Sequence, residues 1–109
     1  MSGYYKLFQS SKNSEWYFSL KAGNNETILQ SEGYKAKAGA ENGIESVQTN
    51  SPNEDRYDRR ESAAGYWFVL KATNGQIIGK SEMYTTAAAR DKGIASVKAN
   101  GPTTVIKED

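Results

Sequence analysis

Residues 18–34, Phe-Ser-Leu-Lys-Ala-Gly-Asn-Asn-Glu-Thr-Ile-Leu-Gln-Ser-Glu-Gly-Tyr, are nearly repeated at residues 68–84 as Phe-Val-Leu-Lys-Ala-Thr-Asn-Gly-Gln-Ile-Ile-Gly-Lys-Ser-Glu-Met-Tyr. Extended without a gap, residues 16–52 and 66–102 are identical at 16 of 37 positions. Self-similarity at a constant spacing indicates two copies of one structural unit. The chain is therefore an internal tandem duplication, and the fold must be built from the two copies.

The length of the chain limits how the copies can fold. The chain has 109 residues, and a unit of roughly 50 residues encloses too little interior to be stable alone. We therefore predict a single domain over residues 1–109, in which repeat 1 (4–54) and repeat 2 (55–106) share one hydrophobic core. The same reasoning predicts a monomer whose repeats pair within the chain.

The composition excludes several kinds of site. The chain has no Cys and no His, so it lacks disulfides, thiolate metal sites and the commonest general base near neutral pH. We predict that the protein is not an enzyme, that it has no catalytic or metal-binding residues and that it uses no cofactor. Its 14 basic and 13 acidic residues nearly cancel, which argues against nucleic acid as a partner unless a local basic patch exists. No signal peptide and no run of about 18 apolar residues is present, which predicts a soluble, cytoplasmic protein without a membrane partner.

Each copy has the pattern of three strands followed by a helix. Alternating apolar and polar residues predict strands at 4–9, 16–22 and about 26–32. Residues 38–49 and 88–99 are rich in Ala, Lys and Glu and carry Ile and Val three positions apart, which predicts helices. A short extended segment is expected after each helix, at 54–60 and 103–106. The predicted repeat is therefore β-β-β-α-β, and only residues 107–109 are expected to fray.

The register of the hairpin between the second and third strands has two solutions. A two-residue loop would turn Leu29 and its counterpart Gly79 toward the face that carries Phe18 and Ile28 with Ile78 to the other face. An odd-length loop or a β-bulge would reverse this, with Ile28 inward and Leu29 outward. Ile is present at this position in both copies, at 28 and 78, while 29 and 79 differ. We therefore favour the bulged register with Ile28 inward.

Residues typical of turns and helix ends follow these elements. Asn74-Gly75 is typical of a type I′ hairpin turn, because both residues tolerate positive φ. Thr85 or Thr86 is predicted to cap the second helix, and the first helix has no equivalent. Asn50 and Asn100 are predicted to adopt the left-handed conformation just after each helix.

Both predicted helices contain a glycine, Gly43 and Gly93, beside the Ile of the apolar stripe. A glycine inside a helix costs about 0.8–1 kcal/mol relative to Ala. Its presence in both copies therefore predicts that the helix backbone closely approaches the sheet.

Three motifs occur in both copies: Phe-x-Leu-Lys-Ala-x-Asn, then Ser-Glu-x-Tyr, then Gly-Ile-x-Ser-Val-x-x-Asn. With these motifs the chain closely resembles the YegP-like family of small uncharacterised bacterial proteins over essentially its whole length. The resemblance implies a bacterial source and an α+β fold, in which tandem β3-α-β repeats form one mainly antiparallel sheet with two helices and exchange their C-terminal strands. It implies no activity, ligand or catalytic residue.

Polar residues kept in both copies are the first candidates for a binding site. Glu32 with Tyr34, and Glu82 with Tyr84, each follow a Ser, so a carboxylate, a hydroxyl and a phenol could together bind a cation or an amine. In the alternative, structural interpretation, each Glu lies near the following helix N-terminus, which favours an anion by about 0.3–1 kcal/mol. Each Tyr then packs against the start of the helix. The structural interpretation is favoured.

Lys21 and Lys71 are the second candidates, because alternation places them on the outer face of their strands beside Tyr17 and Trp67. Aromatic rings interleaved with Lys could stack bases or sugars. Alternatively, and more simply, each Lys pairs with a Glu across the sheet. Residues 54–61 mix both charges and indicate a solvated segment.

Three functions follow from these candidates. We favour a non-catalytic interaction module with an unknown protein partner, which would use the sheet surface or an exposed strand edge. The second is nucleic-acid binding through the aromatic and Lys face, against which the near-zero net charge argues. An enzyme that uses Glu32 and Glu82 as an acid and base pair is the least supported.

Overall fold

The computed structural model describes residues 3–108 and contains one seven-stranded sheet with two helices packed on one face. In chain order the elements are β1 (Tyr4–Gln9), β2 (Trp16–Lys21), β3 (Thr27–Gln30), α1 (Lys37–Asn50), a 3-10 turn (Glu54–Arg56), β4 (Tyr57–Ser62), β5 (Gly65–Lys71), β6 (Ile77–Lys80), α2 (Ala87–Asn100) and β7 (Ile106–Glu108). The predicted α+β fold is confirmed. Within residues 3–108, no helix is long and apolar enough to cross a membrane.

The two repeats meet in the middle of the sheet. The strand order is β4-β5-β6-β3-β2-β1-β7, and every neighbouring pair is antiparallel except β1 with β7. At the centre, Gln30 of β3 is opposite Lys80 of β6. Because these two positions are equivalent in the repeats, a pseudo-two-fold axis passes between them. β7 follows the helix of repeat 2 but lies beside β1 of repeat 1, so the C-terminal strand crosses between repeats as expected.

The segments that follow the helices differ from the prediction. After α1, residues 54–56 form a 3-10 turn, and the strand begins only at Tyr57. The Asn53 side chain stabilises this turn, because it accepts a hydrogen bond from the Asp55 backbone N–H. After α2 the strand begins at Ile106 rather than at 103, and Glu108, which was expected to fray, pairs with β1. Residue 109 lies outside the described residues.

A β-bulge sets the register of the β2–β3 hairpin. Leu20 is opposite Leu29 and Lys21 is opposite Thr27, which leaves Ile28 as the extra residue. The favoured bulge is therefore confirmed, and Ile28 is buried. The expectation that Leu29 would then point outward is wrong, since Leu29 is fully buried as well. The bulge lies between the two residues, so both side chains point toward the helices.

The difference between Leu29 and Gly79 has a separate cause. Gly79 is opposite Leu70 and faces the helices, as Leu29 does. A Cβ atom built on Gly79 would lie 2.5 Å from Leu29 Cδ2. The two positions are close together beside the pseudo-two-fold axis, so one Leu side chain fills space that two could not share.

Two of the predicted turn and helix-end conformations are wrong. In the β5–β6 turn, Gly75 has a φ of 84° and donates its N–H to the Ala72 carbonyl, whereas residue 74 has no positive φ. This is a type I turn followed by a left-handed Gly, not a type I′ turn. Asn50 and Asn100 are the last helical residues and are followed by right-handed residues; their side-chain amides donate to the carbonyl four residues earlier. Thr86 caps α2 as predicted, and α1 has no side-chain cap.

The core lies between the sheet and both helices. It contains apolar side chains that are at most 1% exposed, among them Tyr5, Leu7, Phe18, Leu20, Ile44, Val47, Phe68, Leu70, Ile94 and Val97. Two buried hydroxyls join the repeats: Tyr5 donates to the Gly101 carbonyl at 2.6 Å, and Tyr57 donates to the Ser51 carbonyl at 2.7 Å. Each bond links the first strand of one repeat to the helix end of the other.

These hydroxyls predict a loss of stability in alkali. Burial raises the pKa of Tyr5 and Tyr57 well above the ordinary value of 10. Above that pH the unfolded chain releases both protons while the folded protein retains them, so their contribution to stability is complete below about pH 10 and decreases above it. We expect the melting temperature followed by circular dichroism to fall from about pH 10 upward, and to fall less steeply for Tyr5→Phe. An identical pH dependence in the variant would contradict this assignment.

Candidate functional site

The serine of the shared Ser-Glu-x-Tyr motif continues the hydrogen bonding of a strand. Ser31 Oγ accepts from the Phe18 N–H at 2.9 Å and donates to the Glu32 carbonyl at 2.9 Å. Ser81 makes the two equivalent bonds in repeat 2. Both bonds lie just beyond the end of β3 or β6, so the shared serines have a structural role.

The shared tyrosines also pack inside the fold. Tyr34 exchanges two backbone hydrogen bonds with the first residue of β2, and its ring stacks on Phe18 at a centroid distance of 6.3 Å. A Cβ atom built on Gly43 would lie 2.6 Å from the Tyr34 hydroxyl oxygen, and one on Gly93 would lie 2.8 Å from Tyr84 Cζ. The close approach predicted for these glycines is confirmed, and the Tyr ring is one of the groups approached. Burial raises the pKa of both phenols.

The two motif carboxylates are on the surface. Glu32 and Glu82 are exposed, and neither carboxylate forms a hydrogen bond or an ion pair within residues 3–108. Neither residue is in the first turn of a helix. Glu32 lines a concavity described below and Glu82 does not. Among the described residues, no group of three acidic side chains could hold a metal ion.

The sheet face that points away from the helices, called the open face below, holds the second set of candidates. Its strand residues are Tyr4, Lys6, Phe8, Tyr17, Ser19, Lys21, Thr27, Gln30, Asp58, Arg60, Ser62, Trp67, Val69, Lys71, Ile77, Lys80 and Lys107. The alternation expected for Tyr17, Lys21, Trp67 and Lys71 therefore places all four on one surface. Lys21 and Lys71 do not pair with Glu32 or Glu82, since neither carboxylate has an ion-pair partner in the described chain.

Positive charge is concentrated on the open face. Among the described residues, six of its strand side chains are basic and Asp58 is the acidic one, and Glu32, just beyond β3, adds a second acid at its concavity. The whole chain, by contrast, has 14 basic and 13 acidic residues. The near-zero net charge therefore does not describe this surface, which carries the local basic patch that an anionic partner requires.

In repeat 2, Asp58 neutralises part of the positive charge of the open face. Asp58 Oδ2 lies 3.0 Å from Arg60 Nη2 and 3.5 Å from Lys71 Nζ. The hydrogen bond from Arg60 lowers the pKa of Asp58. The side chains involved are all more than one-third exposed, so these pairs contribute little to stability.

In repeat 1 a lysine occupies the equivalent position. Lys6 corresponds to Asp58, because their partners on the neighbouring strands are 50 residues apart in sequence. Lys107 of β7 is directly opposite Lys6, and Lys21 is opposite Tyr4, two residues away. Lys107 Nζ lies 4.3 Å from the centre of the Tyr4 ring. Three lysines thus surround one aromatic ring.

Further aromatic rings lie beside these charges. The Phe8 and Tyr17 rings stack with centroids 5.9 Å apart and an interplanar angle of 18°. The Tyr17 hydroxyl accepts a hydrogen bond from the Asn13 side chain. Both rings are half-buried, so each presents part of its surface to solvent.

A concavity of about 640 Å³ lies on the open face beside the pseudo-two-fold axis. Side chains of both repeats line it, among them Glu32, Arg60, Trp67, Val69, Lys80 and Met83. Met83 is 48% exposed, and its counterpart in repeat 1 is Gly33. The volume is within the roughly 300–1,000 Å³ typical of small-molecule sites.

The charged segment between the repeats is organised separately. Arg59 Nη1 lies 2.6 Å from Glu54 Oε2, and Arg59 Nε lies 3.1 Å from Asp91 Oδ1. Hydrogen bonds from Arg59 and Lys98 lower the pKa of Glu54 to about 2. These groups are largely solvated, as the mixed charges predict, and they do not lie on the open face.

About half of this surface was not predicted from the sequence. The alternation in β2 predicts Tyr17 and Lys21 on an outer face, whereas Lys6, Phe8 and Lys107 were not predicted there. The alternation of residues 4, 6 and 8 could have assigned one face to Tyr4, Lys6 and Phe8. No local pattern could have placed Lys107 beside Lys6, because the two are 101 residues apart in the chain.

A family model described as a domain of unknown function, DUF1508, matches the chain twice, at residues 11–58 and 61–108. The chain belongs to this family. The two matches agree with the tandem duplication. The resemblance to YegP-like proteins is confirmed by the UPF0339 protein YegP of Shigella flexneri, which is 54% identical over 65 residues that cover 60% of this chain and 58% of that protein. A UPF0339 protein of Shewanella oneidensis is 65% identical over 57 residues, which cover 52% of this chain and 51% of that protein. The chain thus spans about half the length of this curated relative.

Two solved structures have the fold seen in this chain. The solution NMR structure of a UPF0339 protein from Shewanella oneidensis has a TM-score of 0.92 and 58% sequence identity, covering 99% of this chain and 92% of that chain. The NMR structure of the Escherichia coli protein yegP, titled a protein of unknown function, has a TM-score of 0.93 and 52% identity, covering 100% and 94%. The similarity establishes the fold, and the names of these proteins state no activity.

Proposed function

We propose that this DUF1508 protein is a non-catalytic binding module and that the open face is its ligand-binding surface. One observation carries the proposal: among the described strand residues, this face collects six basic side chains and one acidic one, with aromatic rings between them. Both helices pack on the opposite face. An antiparallel sheet covered on one side leaves the other side accessible to a partner.

The roles of the shared motif support a non-catalytic function. Ser31 and Ser81 use their hydroxyls in the fold, and the Tyr34 and Tyr84 rings pack on helix glycines. The carboxylates of the motif, Glu32 and Glu82, form no bond to a basic or nucleophilic side chain of the described residues. The serines and tyrosines of the motif therefore stabilise the sheet that carries the open face.

The shape of the open face supports the same proposal. Trp67 and Met83 line the concavity together with Arg60. Trp, Met and Arg are residue types enriched in binding interfaces. An exposed Met beside a Trp ring offers an adaptable apolar contact within an otherwise charged surface.

Photo-crosslinking in bacterial cells tests the proposal. The photoreactive residue benzoylphenylalanine replaces Gln30, which is exposed at the centre of the open face, or Glu45, which is exposed on α1 and serves as the matched control. We expect ligand adducts from position 30 and none from position 45. Adducts of equal yield from both positions, or no adducts from position 30, would contradict a binding role for the open face.

A further inference from the structure

We infer that the ligand of the open face is single-stranded nucleic acid. The inference rests on the proposed function above and adds the chemical class of the ligand. Three features of the open face favour this ligand: the position of the lysines, the position of the aromatic rings and the packing of α1 and α2 on the opposite side of the sheet.

The lysines of repeat 1 form the phosphate-binding part of the surface. Lys107 of β7 lies over the Tyr4 ring, with its Nζ 4.3 Å from the ring centre. Lys21, which forms no ion pair with the described residues, lies on the other side of Tyr4. A phosphate bound between Lys107 and Lys21 would gain charge-assisted hydrogen bonds from both ammonium groups.

The aromatic rings form the base-binding part. Tyr4, Lys6 and Phe8 alternate along β1, so their Cα atoms follow one another at roughly 6.8 Å and their side chains leave the same face of the strand. Phe8 stacks with Tyr17, and Trp67 lies across the face in the concavity. Unpaired bases stack on such rings without regard to sequence, because every base has a π-face.

The open face favours a single strand over a duplex. Readers of duplex DNA insert a helix or a β-ribbon into a groove, whereas both helices here pack on the far side of the sheet. Exposed rings on a sheet bind bases that are free to leave their own stack. A protein partner for this face would need to be acidic to complement its lysines.

Fluorescence anisotropy with a labelled oligothymidylate of about 12 nucleotides, within the range of about 4–16 that such surfaces span, tests the inference. The variant Lys21→Gln with Lys107→Gln removes two charges from the open face. The matched control, Lys35→Gln with Lys92→Gln, removes two exposed charges elsewhere. At about 50 mM salt we expect the first variant to bind at least about tenfold more weakly and the control to bind like the wild type. The slope of log K against log salt should be shallower by about 1.4 in the first variant only.

A second arm separates nucleic acid from other polyanions. Inorganic polyphosphate is the base-free probe, and Tyr17→Leu removes one stacking ring while it keeps an apolar side chain. We expect Tyr17→Leu to weaken oligothymidylate binding and to leave polyphosphate binding unchanged. Equal affinity for both probes together with no effect of Tyr17→Leu would overturn the inference, since the ligand would then be recognised by charge alone.

The two proposals can fail separately. If position 30 crosslinks in cells but oligothymidylate does not bind at low salt, the open face is a binding surface and its ligand is not single-stranded nucleic acid. If neither is observed, both proposals are wrong. Equal weakening in the open-face variant and in the control would also overturn the inference, because binding would then follow net charge rather than this surface.

Discussion

Replacing Gly79 with Leu is expected to lower the free energy of unfolding by about 3 kcal/mol, the upper end of the usual cost of overpacking, and adding Leu29→Gly is expected to restore most of that loss. The reason lies at the pseudo-two-fold axis. A Cβ atom on Gly79 would lie 2.5 Å from Leu29 Cδ2 and 2.7 Å from its Cγ, and Leu29 is fully buried. A second Leu would therefore compete for space that is already filled.

The single variant Leu29→Gly should also be destabilising. Removing a buried Leu leaves a cavity, and truncation to Ala alone costs about 2–5 kcal/mol. A glycine in a strand adds about 0.5–1 kcal/mol more. In the double variant the Leu at position 79 of repeat 2 occupies the space that Leu29 of repeat 1 fills in the wild type. A single Leu side chain therefore fills this space again.

Urea denaturation of the four proteins gives the coupling energy between the two positions. We expect a coupling of several kcal/mol, on the order of the single losses. Additive losses in the double variant would show that the two positions do not share space. The difference between the repeats at 29 and 79 would then need another cause.

Replacing Gly93 with Val is expected to lower the free energy of unfolding by about 3 kcal/mol, because overpacking at a close contact forces the backbone or the ring to move. A Cβ atom on Gly93 would lie 2.8 Å from Tyr84 Cζ and 3.2 Å from Phe68 Cε2. Val adds two further carbons at this crowded position. A loss of this size corresponds to a fall in melting temperature of roughly 12 °C or more.

Gly75→Ala is the matched control for this glycine. Gly75 is exposed in a turn, and nothing lies within 4 Å of a Cβ atom built on it. Its φ of 84° makes Ala unfavourable by about 1 kcal/mol, without any steric contact. We expect the melting temperature of Gly93→Val to be well below that of Gly75→Ala. If Gly93→Val melts with the wild type, the helix backbone does not depend on this close approach.

Most of the fold could be predicted because its pattern is local and repeated. Alternation placed Phe18 and Leu20 on one face of β2 and Lys21 on the other, as observed. The shared Ile28 correctly indicated a bulge. The prediction failed where side chains changed the local backbone, as at Asn53, whose side chain stabilises a 3-10 turn in place of an extended segment.

The candidate site was predicted less completely. Tyr17, Trp67, Lys21 and Lys71 were assigned to an outer surface from alternation within their own strands. The first strands were harder to align, because six residues separate Gln9 from its partner Trp16, whereas four separate the equivalent pair Glu61 and Tyr66. Lys6 and Asp58 are therefore 52 residues apart, two more than the spacing of 50 that relates the rest of the repeats.

The sequence alone establishes the duplication, the order of strands and helices and the inward face of β2, because these follow from backbone periodicity and from the comparison of one copy with the other. Tertiary structure decides which residues become neighbours across the pseudo-two-fold axis, where Leu29 fills the space beside Gly79. It also decides that the lysines of β1, β2 and β7 gather around Tyr4. Which residues are neighbours across a sheet depends on how distant strands pair. No local sequence pattern predicts a contact between residues as far apart as 6 and 107.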